Sequence, residues 1–124
     1  MANVIMSDKA PAAVGPYSHA FESNGLIFTA GQLGLDPETG KLVEGAEAQA
    51  RQALTNIKSV LETAGSSMDK VLKVTVFASK LEDFAELAKV YTDFFAQPFP
   101  PRSGMEVSRL PMDALFEIEV IAEK

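Results

Sequence analysis

The run Val71-Leu72-Lys73-Val74-Thr75-Val76-Phe77-Ala78-Ser79 decides the fold. It is rich in β-branched residues, and a strand period of two puts Leu72, Val74, Val76 and Ala78 on one face. Val71, Lys73, Thr75 and Phe77 take the other. Two helical patterns flank this strand. Upstream, Ala50, Ala53, Leu54, Ile57, Val60, Leu61 and Ala64 recur at three- and four-residue spacing, and Gly65 supplies the stop. Glu47, Gln49, Arg51, Gln52, Lys58 and Glu62 cover the polar side. Downstream, Ser79 and Glu82 have capping-box spacing, Leu81, Phe84, Ala88, Tyr91 and Phe95 form an apolar stripe, and Pro98 ends it.

Outside these helices the chain reads as strands. Tyr17 to Ser23 and Leu26 to Ala30 flank Asn24-Gly25, a hairpin turn signal. Asn3 to Met6 reads as a short edge strand. Ser103 to Leu110 and Leu115 to Glu123 alternate and are expected to pair as a second hairpin around Pro111-Met112-Asp113. The order β-β-β-α-β-α-β-β describes an α+β domain spanning residues 1–124, a mixed sheet with two helices on one face. Two helices cover one face only. The other carries Phe77, Ile121, Met105 and Val107 among charges, which points to contact between subunits.

The 124 residues hold 11 Lys+Arg against 17 Asp+Glu, a net charge of −6, and no cysteine. Disulfides, thiolate catalysis and zinc ribbons are thereby excluded. An acidic chain without a basic stripe is poorly suited to phosphate neutralisation, so no nucleic-acid partner is expected. No apolar run approaches the roughly 18 residues of a bilayer span. The N-terminal stretch lacks the pattern of a signal peptide. No membrane partner and a cytoplasmic location are the corresponding expectations.

Few residues offer chemistry. His19, the single histidine, lacks a GxSxG elbow to serve and reads as a surface or interface residue. No metal-ligand spacing occurs, so no metal is expected. Asp36 to Gly40 reads as a turn. Gly31-Gln32, after a strand, marks a bulge or a close backbone approach. Arg102 follows Phe99-Pro100-Pro101, which stiffens the chain before a strand, and a guanidinium so placed can clamp a carboxylate with two bonds. Arg109 reads as an ion-pair residue. Glu117 and Glu119 emerge from one strand face, where two carboxyls can raise one pKa and handle protons. Tyr17, in Gly15-Pro16-Tyr17-Ser18, carries a phenol able to donate in a pocket.

Taken together, Ala10-Pro11-Ala12-Ala13-Val14-Gly15-Pro16-Tyr17-Ser18, Thr29-Ala30-Gly31-Gln32, Asp36-Pro37-Glu38-Thr39-Gly40 and Ala48 to Ile57 resemble the RidA (YjgF) family. So do Val71 to Phe77, Pro101-Arg102-Ser103-Gly104-Met105-Glu106-Val107 and Glu117-Ile118-Glu119-Val120-Ile121-Ala122. The resemblance runs through essentially the whole chain in order. It implies a chorismate-mutase-like homotrimer with clefts between subunits. It also implies hydrolysis of 2-imino acids and enamines, the reactive products of pyridoxal-phosphate enzymes, to 2-keto acids and ammonia. By the same resemblance Arg102 binds the substrate carboxylate, Glu117 is the acid/base, Tyr17 lines the cleft, and backbone groups of Gly31 and Gly104 contact ligand. No cofactor is implied, because an iminium carbon is already electrophilic. The family pattern has serine where Ala30 stands, asparagine at Ala88 and often cysteine at Gly104. The alternatives are a small-carboxylate-binding or regulatory module and, further off, a ribonuclease.

Overall fold

A computed structural model describes residues 2–124. Its strands are β1 (Asn3–Ile5), β2 (Ala20–Ser23), β3 (Leu26–Thr29), β4 (Gln32–Leu33), β5 (Val71–Ala78), β6 (Arg102–Glu106) and β7 (Phe116–Glu123). The helices are α1 (Ala46–Thr63) and α2 (Phe84–Tyr91). One seven-stranded sheet runs β1-β2-β3-β7-β5-β6, with β4 also paired to β7. Both helices lie on one face. Ala50, Leu54, Ile57 and Leu61 of α1, with Leu87 and Val90 of α2, pack on Val74, Val76, Ile118 and Val120. The α+β layout is as the sequence implies. The Asn24-Gly25 turn is also as read, both residues at positive φ (53° and 78°), which fits a tight two-residue hairpin.

Pairing departs from expectation at the C-terminal strands. β6 and β7 do not pair as a hairpin. β6 runs parallel to β5, with Val74 opposite Arg102 and Phe77 opposite Met105. β7 is antiparallel to β5, with Phe77 opposite Glu117 and Thr75 opposite Glu119. β5 therefore stands between the two strands that were expected to pair. The segment 107–115 crosses that gap instead of making a tight turn, and Arg109 falls in it, ion-paired to Asp113 at 2.8 Å.

Several side-chain placements are corrected. A bulge between Val71 and Lys73 shifts the alternation, so Val71 is buried and Leu72 is exposed. Ser79 does not cap a helix. Its N–H donates to Leu115 O, which keeps the backbone in line with β5. The chain instead enters α2 through a 3-10 turn at Leu81–Asp83, where Glu106 accepts from the Leu81 N–H. Leu81 is exposed, and α2 stops at Tyr91 rather than running to Phe95. Gln49 is buried, not solvated, because its Oε1 accepts from the Leu115 N–H at 2.9 Å.

His19 is the largest correction. It is buried, not at the surface. Nδ1 accepts from the Ser7 N–H at 2.9 Å and Nε2 donates to Pro11 O at 2.8 Å. A ring that accepts at one nitrogen and donates at the other is neutral, with its proton on Nε2. The imidazole thus straps the segment from Ser7 to Pro11 onto the start of β2. Removing it would leave two buried backbone groups unpaired. His19→Ala should therefore lose about 2–4 kcal/mol of unfolding free energy in urea titration. A loss under about 0.5 kcal/mol would show that the strap holds without the ring.

Candidate active site

The sheet positions two sets of residues on its two sides. On the face away from the helices, β7 presents Glu117, half-buried beside Phe77 of β5 and Leu33 of β4. Burial first, and the neighbouring Glu119 carboxylate second, push the Glu117 carboxyl above its ordinary value of 4.5. Among the described residues no cation pairs with it. Gly31 explains how the carboxyl fits. It lies in the break between β3 and β4, and a Cβ there would stand 2.7 Å from Glu117 Cγ and Cδ and 2.9 Å from Oε2. The close approach read at Gly31 is thus to the Glu117 side chain of the same chain. Thr29 completes the break. Its hydroxyl accepts from the Val120 N–H and donates to Val120 O, replacing ladder bonds where the strand pauses.

On the helix side, Arg102 opens β6 opposite Val74 and turns toward α2. Its guanidinium lies over the Tyr91 ring, 4.6 Å from the centroid. Among the described residues no carboxylate pairs with it, and the Tyr91 hydroxyl lies beside it. It borders a half-open pocket of about 420 Å³ shared with Ala88, Tyr91, Thr92, Phe99 and Pro100. Two residues on, Gly104 faces the same way. A Cβ there would stand 2.6 Å from two atoms of the Phe84 ring, so the ring occupies the space of any side chain at 104.

The sheet thus brings Gly31 to Glu117, and Arg102 and Gly104 to α2. It does not bring Arg102 to Glu117, because one strand pairs with core-facing Val74 and the other with outward Phe77. Tyr17 lies in the bend before β2, which begins at Ala20 and not at residue 17. Its ring is half exposed, and its N–H donates to Gly15 O. Glu119 lines the same outward face, opposite Thr75. Among the described residues no group of His, Asp or Glu is arranged to hold a metal. No helix among them is long and apolar enough to cross a membrane.

The sequence reading missed Tyr91 as a partner of Arg102, having assigned it to packing. Its signal was its place two turns after Phe84 on the stripe facing β6.

The family model described as Endoribonuclease L-PSP matches residues 7–124. A RutC family protein of Pyrococcus horikoshii is 47% identical over 100% of this chain and 99% of its own length. The 2-iminobutanoate/2-iminopropanoate deaminase of Salmonella typhimurium is 43% identical over 98% of each. The chain belongs to the RidA (YjgF) family. The crystal structure of E. coli TdcF with bound serine superposes with a TM-score of 0.94 at 39% identity, covering 98% of each chain. The sheet and two helices described above are therefore the architecture this RidA-family chain shares with its relatives.

The raised Glu117 pKa has a measurable consequence. A native carboxyl that keeps its proton to higher pH than the unfolded one binds more protons between the two pKa values. Stability then falls as pH rises from about 4.5 through that window. Glu117→Gln removes this dependence. Its urea midpoint relative to wild type should be higher at pH 7 than at pH 4. An offset that does not change with pH would mean the native carboxyl titrates as it does unfolded.

Proposed function

We propose that this protein hydrolyses 2-imino acids and their enamine tautomers, such as 2-iminobutanoate and 2-iminopropanoate, to 2-keto acids and ammonia. It would thereby quench reactive intermediates of pyridoxal-phosphate enzymes. The observation that carries the reading is Arg102, a guanidinium without a carboxylate partner that borders a half-open pocket. The raised carboxyl of Glu117 and the deaminase-named relative support it.

In this reading the Arg102 fork takes the substrate carboxylate and fixes the plane of C2. Water adds to C2 and the C–N bond breaks, so that imine and water leave as keto acid and ammonia. Glu117 transfers both water protons to nitrogen, one as water adds to C2 and the second from the carbinolamine hydroxyl as the C–N bond breaks. Tyr17 orients substrate or water, and backbone groups of Gly31 and Gly104 bound the cleft. The chemistry asks for no cofactor.

Arg102 and Glu117 lie on opposite sides of one sheet, so the site is assembled between copies, one supplying each residue. The outward face suits a homotrimer. Val4, Phe21, Phe28 and Ile121 stand in register across four strands of it. A nuclease reading gains little, since a net charge of −6 repels phosphate and His19 is locked in two hydrogen bonds. A carboxylate-binding module without turnover remains the second reading, favoured by the serine in TdcF.

The test is imine trapping with semicarbazide, with the imines generated by an amino-acid oxidase. Wild type should speed keto acid release; tight binding without acceleration would favour the second reading. Arg102→Ala should lose kcat/KM equivalent to roughly 2–5 kcal/mol, and Arg102→Lys should recover little of it. Glu117→Gln should lower kcat by roughly 10²–10⁴-fold with little change in KM. Gly31→Ala should fold, because the atoms it meets end a flexible side chain, yet lose at least about tenfold in kcat by displacing the carboxyl.

Light scattering should give three times the chain mass. Arg102→Ala and Glu117→Gln chains, refolded together, should recover about a quarter of wild-type activity through mixed sites. No recovery in verified mixed oligomers would place both residues in sites of one chain.

A further inference from the structure

The pocket beside Arg102 is larger than a carboxylate needs. α2 presents Phe84, Ala88 and Tyr91 along one stripe toward β6. The Phe84 ring fills the space above Gly104, and the Tyr91 ring lies beneath Arg102. Ala88 is the one small residue between the two rings, so the stripe has a notch there. Thr92, Phe99 and Pro100 also line it, and the volume is about 420 Å³. A carboxylate with one or two further carbons displaces only a few waters, each roughly 30 Å³. Most of the notch then stays wet against apolar walls.

A second observation points to a ligand in the same place. Tyr91 is 7% exposed, and its hydroxyl, which lies beside the Arg102 guanidinium, finds no acceptor for its own proton. Buried hydroxyls are ordinarily satisfied. A carboxylate drawn to the Arg102 guanidinium would bring an acceptor next to that hydroxyl. The pocket therefore offers a cation and an unsatisfied donor, with Ala88, Phe99 and Pro100 as the apolar part of a lining that also includes Thr92, which suits an acid with an apolar tail.

We propose that the notch at Ala88 receives the substrate side chain and selects 2-imino acids with branched or aromatic apolar side chains over those with methyl or ethyl. For the reaction this rests on the imine reading above; for binding it stands on the pocket alone. Each methylene buried is worth up to about fourfold in affinity, so two or more extra carbons in the notch should give about tenfold.

The test uses the wild-type protein in its native assembly and two readouts. Calorimetry would compare pyruvate and 2-oxobutanoate with 4-methyl-2-oxopentanoate and phenylpyruvate, stable analogues that keep the carboxylate. Imine trapping would compare the corresponding imines. Binding at least tenfold tighter, and kcat/KM at least tenfold higher, for the two larger acids is expected. Ala88→Leu, its folding checked by thermal midpoint, should move that ratio tenfold or more toward the small acids. Tyr91→Phe keeps the ring under Arg102 and should weaken all four acids alike by a few fold.

Size-ordered keto acid binding with no hydrolysis of any imine would keep the notch and sink the deaminase reading. Hydrolysis with methyl or ethyl preferred would keep the deaminase and overturn the notch. Equal binding of all four acids, or none, would also overturn it.

Discussion

The antiparallel register between β5 and β7 is the constraint on which the rest of the molecule depends. β7 is central, with β3 and β4 on one edge and β5 on the other. Setting Phe77 opposite Glu117 keeps Ile118 and Val120 under the helices and both glutamates outside. Because side chains alternate with a period of two, a slip of one residue would drive Glu117 and Glu119 into the apolar layer and expose its largest members. Burying two carboxylates there would cost far more than the ladder supplies. The same register leaves Glu117 half-buried, and that depth raises its carboxyl above the ordinary value.

Electrostatics is divided by the sheet. The cation stands at the helix side on an aromatic ring, where the ring's face favours a positive charge and nothing else neutralises it. The carboxyl stands on the other side, where burial and a like charge disfavour ionisation. An adjacent Arg102–Glu117 pair would instead neutralise both groups and lower the carboxyl's pKa. Within one chain the sheet prevents that pairing.

Absent side chains matter as much as those present. Gly31 makes room for Glu117, and Gly104 makes room for Phe84. Thr29 bonds to the β7 backbone where the strand pauses, so the break that admits Gly31 does not leave Val120 unpaired. Asn56, fully buried on α1, donates to Leu33 O and Leu35 O and ties the strand beyond the break to the helix. A gap of this kind in a sheet stays closed to water because side chains satisfy the backbone it frees.

Local periodicity made much of the chain legible. The apolar spacing of α1, the Asn24-Gly25 turn and the alternation of Glu117 with Ile118 are properties of a few neighbouring residues, and each reappears in the structure. Local context put Arg102, Glu117 and Gly31 forward as candidates, and the motif resemblance gave each its expected role. Tertiary structure decided whatever depended on a distant partner. Leu72 turned outward at a bulge; Ser79 gave its N–H to Leu115; Gln49 was drawn inward by the same residue's N–H; and β6 paired with β5 instead of β7. His19 reads as polar and surface-bound until Ser7 and Pro11 are seen to satisfy both its nitrogens. A polar side chain is buried when backbone groups elsewhere in the chain complete its hydrogen bonds, and no local pattern records where those groups will be.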